Sequence, residues 1–323
     1  MRAPPWPLAV IALALVTAAL IPPPEVSACA ARGRRGPIAI EGEEALIVWD
    51  ARRHMQHFVR RAAFAPGEDF GFLVPTPHRP QLAEVADEVF DRLFTIYRGP
   101  APQGGGAARG RRGGSSGGGV RVLERRVVAG LDAAVLEASD ARALDQWLAT
   151  HGYQSGDALR RWVAPYVRRR WIVTAFRIAP GGGAAFRTRS MRMSFRASAP
   201  FFPYSEPADG PHDPRPFRVS VVAPYRTAAR LGDDAWGARV GFAEPVETDR
   251  LVRTLSGVLG PDEIPANAWL TVFDEPASVR GTLDVTFRRA PQQTPVAGSL
   301  TTPLRPHGSS ATGADPLNGL QGL

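Results

Sequence analysis

The chain contains no lysine and only one cysteine, Cys29. A single cysteine excludes an internal disulfide and any metal site built from several cysteines. Because lysine is absent, arginine carries the formal net charge of +8. A GC-rich coding bias accounts for this usage, and the functional alternative is attraction to lipid headgroups, envelope polysaccharide or nucleic acid. The arginines are interspersed with acids over most of the chain, which favours the coding bias.

Several short motifs that identify enzymes are also missing. The sequence has no HExxH zinc-protease motif, no phosphate-binding P-loop and no dinucleotide fingerprint. We therefore expect no cofactor, assign no catalytic or metal-binding residue, and lean against an enzymatic role. The acid pairs Glu43-Glu44 and Asp262-Glu263 fall at expected turns, where solvated carboxylates are ordinary.

The most informative stretch is the N-terminus, where Leu8 to Ile21 is a nearly unbroken apolar run. The run is too short to span a bilayer. Arg2 precedes it, three prolines and Glu25 follow it, and Val26-Ser27-Ala28 supplies small residues. This order is typical of a secretory signal peptide. It predicts that residues 1–28 are removed after Ala28 and that the mature protein is extracytoplasmic, either periplasmic or secreted.

Cys29 leaves a second processing route open. Val26-Ser27-Ala28-Cys29 fits a lipobox by residue type, and a diacylated Cys29 would tether the protein to a membrane. A lipobox normally follows the apolar run directly, whereas three prolines and Glu25 intervene here. Ordinary cleavage between Ala28 and Cys29 is therefore preferred, and membrane association is expected only if Cys29 is lipidated.

Composition divides the mature chain into a body and its flanks. Residues 29–36 form a short N-terminal segment, residues 37–289 a globular body, and residues 290–323 a tail expected to be disordered. Residues 104–119 are a Gly/Arg-rich flexible insertion within the body. The insertion is similar to an RGG tract but lacks aromatic residues that stack on bases, so we expect no nucleic-acid partner.

Hydrophobic periodicity predicts both strands and helices in the body. Two apolar runs joined by four polar residues, Asp50 to Arg53, predict a β-hairpin ending at Phe64. The spacing of apolar residues predicts a helix over Gln81 to Tyr97. Asp140 is expected to cap a second helix that Gly152 ends, and Asp157 a third that Pro165 kinks or ends.

The second half of the body is predicted to be mostly strand. Met191, Met193 and Phe195 alternate with polar residues, which indicates one buried face and one wet face. One further helix is expected over Thr248 to Val258. Because the elements do not alternate strictly as βαβ, we expect an α+β fold: a largely antiparallel β-sheet with three to four packing helices in one main domain.

The turn Pro75-Thr76-Pro77-His78-Arg79 is the candidate partner-binding site. Two prolines, Pro75 and Pro77, make it rigid, and it is expected to present His78 and Arg79 at the end of a sheet. The alternative is a stiff connector between two elements. The partner is an unknown envelope protein or ligand.

Histidines offer two weaker metal candidates. His54 and His57 are three residues apart, which places two ligands together on a helix but apart on a strand. Because this stretch is predicted as a strand, metal binding there is disfavoured. The loop Asp209-Gly210-Pro211-His212-Asp213 places oxygen and nitrogen ligands closer together, although a polar turn remains the simpler interpretation.

Four stretches of the sequence occur in a recognisable order. They are Ala28-Cys29, the hairpin leading into Glu68 to Pro77, Val135 to Asp140 before the Trp147 helix and Gly152-Tyr153, and Pro165-Tyr166-Val167 before Trp171-Ile172-Val173 and the Met191 strand. In this order they resemble a bacterial family of exported proteins, domain of unknown function 2330. Unlike many members, this chain has no glycines directly after the junction cysteine, and its Gly-rich block resembles an insertion. The resemblance implies location and fold, and it brings no activity, substrate or catalytic residue.

Two functional interpretations follow. The preferred one is an exported cell-envelope protein of unknown molecular function that acts as a non-catalytic binding or structural module. The alternative is an envelope hydrolase whose site is assembled only in the fold. A deep pocket in which histidines or paired carboxylates converge would favour the hydrolase.

Overall fold

A computed structural model describes residues 32–33, 36–37, 40–64, 70–98, 120–153, 155–178, 190–208 and 214–304. The predicted signal peptide, Cys29, the insertion at 104–119 and the loop at 209–213 lie outside these residues. In chain order the elements are β1 (Arg32–Gly33), β2 (Gly36–Pro37), β3 (Ile40–Asp50), β4 (Met55–Phe64), β5 (Phe70–Thr76), β6 (Gln81–Glu84), α1 (Glu88–Arg98), β7 (Val120–Val128), β8 (Leu131–Ala138), α2 (Ala141–Thr150), α3 (Asp157–Arg168), β9 (Ile172–Ile178), β10 (Met191–Arg196), β11 (Phe201–Phe202), β12 (Arg215–Ala223), β13 (Thr227–Leu231), β14 (Asp234–Ala235), β15 (Arg239–Pro245), α4 (Thr248–Thr254), β16 (Trp269–Ser278) and β17 (Val285–Arg289).

The strands form three sheets. The first has the order β2-β1-β5-β9-β8-β7, the second β15-β16-β12-β3-β4-β10-β6, and the third β11-β17-β13-β14. Every pairing between described strands is antiparallel except that of β12 with β3. The predicted α+β fold, largely antiparallel with three to four helices in one domain, is thus confirmed, and the described part of the chain has four helices and three sheets.

The body is layered. The inner faces of the first and second sheets meet with the third sheet in one core, to which Phe176, Phe58 and Phe287 belong. Helices α2 and α3 cover the outer face of the first sheet. Helices α1 and α4 cover the outer face of the second sheet. Alternation along each strand therefore supplies apolar residues to two cores at once.

The first hairpin has a connection of the predicted length, four residues, but it runs from Ala51 to His54 instead of from Asp50 to Arg53. Its register pairs Asp50 with Met55, and the carboxylate of Asp50 accepts hydrogen bonds from the backbone nitrogens of Arg52 at 2.9 Å and Arg53 at 3.1 Å. His54 closes the turn with a φ of 50°. The short polar sequence forms the turn because one carboxylate satisfies two of its free N–H groups.

The ends of helices α2 and α3 agree only in part with those predicted from the sequence. Asp140 caps α2 as predicted, accepting from the nitrogen of Ala143 at 2.8 Å, and Gly152 follows the helix with a φ of 78°. The cap of α3 is Gly156, with Asp157 in the first turn. Pro165 does not end α3, which continues to Arg168.

The prediction of a helix over Gln81 to Tyr97 is wrong for its first seven residues. Gln81–Glu84 is a strand that pairs with β10, and the helix begins only at Glu88. The apolar spacing there fits a helix, but pairing with the edge of the second sheet outweighs that local preference.

The wet face predicted for the Met191 strand is mostly covered. Ser194 is buried and Arg192 is half-buried, because the other face of this strand lies against the segment that follows α4. Arg192 donates to the carbonyl of Val258, and of the three polar residues only Arg196 is exposed. A period of two therefore indicates the strand correctly but does not exclude a second covering layer.

Residues 290–304 differ from the disordered tail predicted to begin at residue 290. Val296 pairs with Ala243, and Leu300 is buried. A Cβ at Gly241 would lie 2.7 Å from the side chain of Leu300, so this close approach requires glycine. Residues 305–323 lie outside the described chain.

Candidate functional site

Three surface cavities lined by described residues have room for a small molecule. Their volumes are about 550, 420 and 360 Å³. Pockets of about 300–1,000 Å³ are typical of small-molecule sites. The first lies against α3 and is called the α3 pocket below. The second is lined by Trp236, Arg226 and Phe273, and the third by His151, Tyr153 and Arg177.

Helix α3 forms one wall of the α3 pocket. The lining residues of the helix recur at intervals of three and four, which places them on one face. This face continues the stripe that packs onto the first sheet, so Trp162 and Tyr166 serve both the core and the pocket. The opposite wall comes from three distant segments. The full lining is Ala158, Arg161, Trp162, Pro165, Tyr166, Arg169, Ser205, Glu206, Pro207, Ala208, Gly232, Thr282, Leu283 and Asp284.

A chain of hydrogen bonds joins these walls. The indole nitrogen of Trp162 donates to the hydroxyl of Ser205 at 3.0 Å, and the Tyr166 hydroxyl lies 2.5 Å from the same Ser205 oxygen. The Tyr166 hydroxyl donates to the carboxylate of Asp284 at 2.8 Å. Its oxygen therefore accepts the hydrogen bond that the Ser205 hydroxyl donates. The backbone nitrogen of Ser205 also donates to Asp284 at 3.1 Å. The polar groups of the wall are therefore held by one another.

Burial raises the pKa of Asp284, against the hydrogen bonds from Ser205 and Tyr166 and the positive charge of Arg169. A carboxylate with such partners stabilises the wall, because each oxygen accepts a hydrogen bond. Ser205 is 1% exposed, so its hydroxyl lies behind the pocket surface. This arrangement is suited to a rigid binding wall.

The rim of the α3 pocket carries two exposed arginines, Arg161 and Arg169. Within the described residues neither guanidinium makes a hydrogen bond or an ion pair, although the positive charge of Arg169 acts on Asp284. Leu283 adds an apolar side chain that is 51% exposed. The pocket thus combines an apolar mouth with guanidinium groups that are available to an anion.

A second group of arginines, away from the rim, is buried and paired with acids. Glu43, which is 0% exposed, accepts from Arg60 at 2.5 Å and from Arg280. Arg280 also lies 3.7 Å from Glu206, which pairs with Arg215. This set is called the core charge network below. It lies on the inner face of the second sheet, so Glu206 connects it to the α3 pocket.

The adjacent glutamates of β3 illustrate the two faces of that sheet. Burial acts to raise the pKa of Glu43, but Arg280, Arg60 and Arg215 outweigh it and lower the pKa to about 2. Burial raises the pKa of Glu44 although Arg61 lies 2.7 Å away. Neither residue lies in the solvated turn expected from the sequence, because both belong to a central strand of the sheet.

The candidate turn connects the two large sheets. His78 Nδ1 lies 2.9 Å from the carbonyl of Arg196, and Arg79 donates to the carbonyl of Leu123 at 3.0 Å. Pro75 is buried, whereas Pro77 is half-buried and His78 and Arg79 are exposed. Partner binding there stays a prediction. Replacing His78 and Arg79 with alanine tests it in a pull-down, where unchanged partners would leave the turn as a connector.

The predicted histidine pair does not converge. His54 lies in the hairpin turn, while His57 is buried with its Nδ1 2.9 Å from the hydroxyl of Ser194. Glu263 lies 3.9 Å from the same nitrogen. Burial lowers the pKa of His57. In the described part of the chain no group of three His, Cys, Asp or Glu side chains is placed to hold a metal ion. His212 lies outside that part.

Sequence reasoning missed the α3 pocket and the core charge network. The apolar spacing of α3 indicates the face that carries Trp162 and Tyr166, but packing against the sheet accounts for both residues. The opposite wall comes from segments about 40, 70 and 120 residues further along the chain, and no local pattern joins them to α3.

The family comparison covers most of this architecture. A family model described as an uncharacterized protein conserved in bacteria (DUF2330) matches residues 23–259. The match includes α3 and the Ser205 wall but ends before Asp284. No curated protein matches the chain. No helix among the described residues is both long and apolar enough to cross a membrane. The chain belongs to the DUF2330 family of bacterial proteins.

Proposed function

We propose that this chain is an exported cell-envelope protein that binds a small molecule in the α3 pocket without transforming it. The carrying observation is the contrast within that pocket. The wall formed by Trp162, Ser205, Tyr166 and Asp284 is held by internal hydrogen bonds, while Arg161 on the rim has no partner among the described residues. A fixed wall with an available charge at its edge is the arrangement of a binding site.

The rival hydrolase has one observation in its favour, the contact between His57 and Ser194. Its geometry is unsuited to nucleophilic catalysis, because Ser194 and Glu263 both approach Nδ1 of the histidine. A serine–histidine–acid triad uses the two ring nitrogens for the two partners. Ser194 is 6% exposed and His57 is 3% exposed, and neither lines one of the three cavities. Binding is therefore the better-supported proposal.

Export is supported by the N-terminal sequence, which has the basic start, short apolar run and small residues of a signal peptide. Mass spectrometry of the N-terminus from envelope and medium fractions tests it. We expect a mature chain that begins at Cys29. A lipid mass on Cys29 would favour the tethered form, and an intact Met1 in a cytoplasmic pool would contradict export.

Ligand binding is tested on protein purified from the envelope. Native mass spectrometry should detect a retained small molecule on the wild-type chain and its loss in Ala208→Trp. Ala208 is an exposed residue at the pocket mouth, so a tryptophan there obstructs the pocket without entering the core. Ala208→Ser is the matched control and should retain the molecule. Equal occupancy of both variants would contradict the proposal.

A further inference from the structure

We infer that the ligand of the α3 pocket is a monoanion that carries one carboxylate on an apolar body, with the carboxylate bound by Arg161. This inference rests on the proposed function and specifies its ligand class. It follows from a charge count of the lining residues, from the apolar mouth and from the position of Arg161 on α3.

Among the described residues that line the pocket, four side chains carry a formal charge, two arginines and two acids. Glu206 is paired with Arg215 and Arg280 of the core charge network. Asp284 is held by Tyr166 and Ser205, and the charge of Arg169 acts on it. The guanidinium of Arg161 makes no ion pair with a described residue, and it lies eight residues from Arg169 on α3. One guanidinium matches one carboxylate, which it binds through two parallel hydrogen bonds.

The same count disfavours ligands of higher or opposite charge. A phosphate group with two negative charges at Arg161 would face Glu206 and Asp284 in the same cavity with one guanidinium to offset them, because Arg169 lies about 12 Å away along the helix axis. A cationic ligand would have to compete with Arg169 for Asp284 while lying beside Arg161. A monoanion avoids both costs.

The body of the ligand is specified by the rest of the lining. Leu283 is exposed at the mouth, and Pro165, Pro207 and Ala208 surround it without offering side-chain hydrogen bonds. Trp162 is 7% exposed and Tyr166 is 5% exposed, so neither presents an open ring face for stacking on a sugar. An alkyl or compact apolar group fits this surface, and each buried methylene contributes about 0.8 kcal/mol.

Arg161 and Arg169 lie eight residues apart, which is about 12 Å along the helix axis. They therefore mark opposite ends of the pocket rather than one shared anion site. Since Arg169 is at the Asp284 end, the ligand is oriented with its carboxylate at Arg161 and its apolar body toward Pro165 and Leu283.

Calorimetric titration of three probes with the same eight-carbon chain tests this inference: octanoate, octanol and octylammonium. For the mature wild-type chain we expect octanoate to bind at least tenfold more tightly than octanol, and octylammonium most weakly. Arg161→Gln should weaken octanoate at least tenfold and leave octanol within twofold. Arg168→Gln is the matched control, because Arg168 is exposed on the same helix but does not line the pocket; it should change octanoate less than twofold.

The other outcomes overturn the ligand class and separate it from the proposed function. If octanoate and octanol bind with equal affinity and Ala208→Trp abolishes both, the pocket binds a ligand but does not recognise its carboxylate. Tightest binding of octylammonium, equal effects of the two arginine variants, or no binding of octanoate would also overturn the inference. In each case the native mass spectrum of the envelope-purified protein decides the proposed function independently.

Discussion

The arginines of the core charge network and those on the rim of the α3 pocket have the same chemistry and opposite surroundings. Arg280 is buried among aromatic rings, with its guanidinium 4.8 Å from the ring centre of Phe217, and it pairs with Glu43. Arg161 is exposed and has no partner among the described residues. A charge removed from water requires a partner inside the protein, whereas an exposed charge beside a pocket is available to a ligand. Composition alone does not separate these two roles.

The largest effect is expected from Arg280→Met. The substitution removes a buried guanidinium and leaves Glu43 with one fewer partner, so we expect the free energy of unfolding to fall by about 3–5 kcal/mol. Urea denaturation measures it. Glu43→Gln combined with Arg280→Met should recover part of the loss because it removes the orphaned charge. A loss under about 1 kcal/mol would contradict a structural role for the network.

The pH dependence of the free energy of unfolding tests separately whether the buried charges of the network stabilise the fold. The network lowers the pKa of Glu43 from 4.5 to about 2, so the folded state binds this proton less readily than the unfolded chain. The stabilisation is present above the unfolded pKa and is lost as the pH falls from about 4.5 toward 2, by about 3 kcal/mol in total. Urea midpoints measured over this range should decline less in Glu43→Gln than in the wild type. Parallel declines would show that Glu43 is not the group responsible.

Arg192 is an intermediate case, because its side chain is 20% exposed and donates to the carbonyl of Val258. Arg192→Leu should lower the free energy of unfolding by about 1–2 kcal/mol, since it leaves a half-buried carbonyl without its donor. Arg196→Leu on the same strand is the control and should stay within about 0.5 kcal/mol, because that side chain is exposed. Thermal melts measure the melting temperatures of the two variants. Equal melting temperatures would support the solvent-exposed face that the alternation of apolar and polar residues predicts for this strand.

The smallest effect on stability is expected from Arg161→Gln. The side chain is exposed and makes no ion pair with a described residue, so the free energy of unfolding should change by less than about 0.5 kcal/mol. Urea denaturation of Arg161→Gln and Arg280→Met under the same conditions compares the free energy of unfolding lost at an exposed arginine with that lost at a buried one. A loss as large as that of a buried arginine would mean that Arg161 has a structural partner and is not reserved for a ligand.

Part of this organisation follows from the sequence by elementary rules. The two apolar runs predict the first hairpin, but the predicted connection, Asp50 to Arg53, begins one residue before the observed one, Ala51 to His54. The predicted connection places Val59 opposite Glu44, whereas the observed register places Arg61 there. The ion pair of Glu44 and Arg61 was therefore not predictable, and neither was the contact of Arg280 with Glu43, which spans 237 residues of chain. The same limit applies to the pocket, whose Asp284 belongs to a segment remote from α3.

The strand Gln81–Glu84 shows the converse limit. Its apolar spacing suits a helix, and only its pairing with β10 makes it a strand. Local periodicity therefore indicates which residues are buried more reliably than it indicates the backbone that buries them.

The location of the ligand site is the central claim, and the indole N–H signals of the tryptophans test it in one NMR titration with octanoate. Trp162 reports on the α3 pocket, Trp236 lines the second cavity, and Trp147 stacks on His151 of the third. Because Trp162 donates to Ser205 in the pocket wall, we predict that its indole signal, assigned with Trp162→Phe, shifts while those of Trp147 and Trp236 remain in place. A shift of Trp147 or Trp236 with Trp162 unchanged would contradict the account.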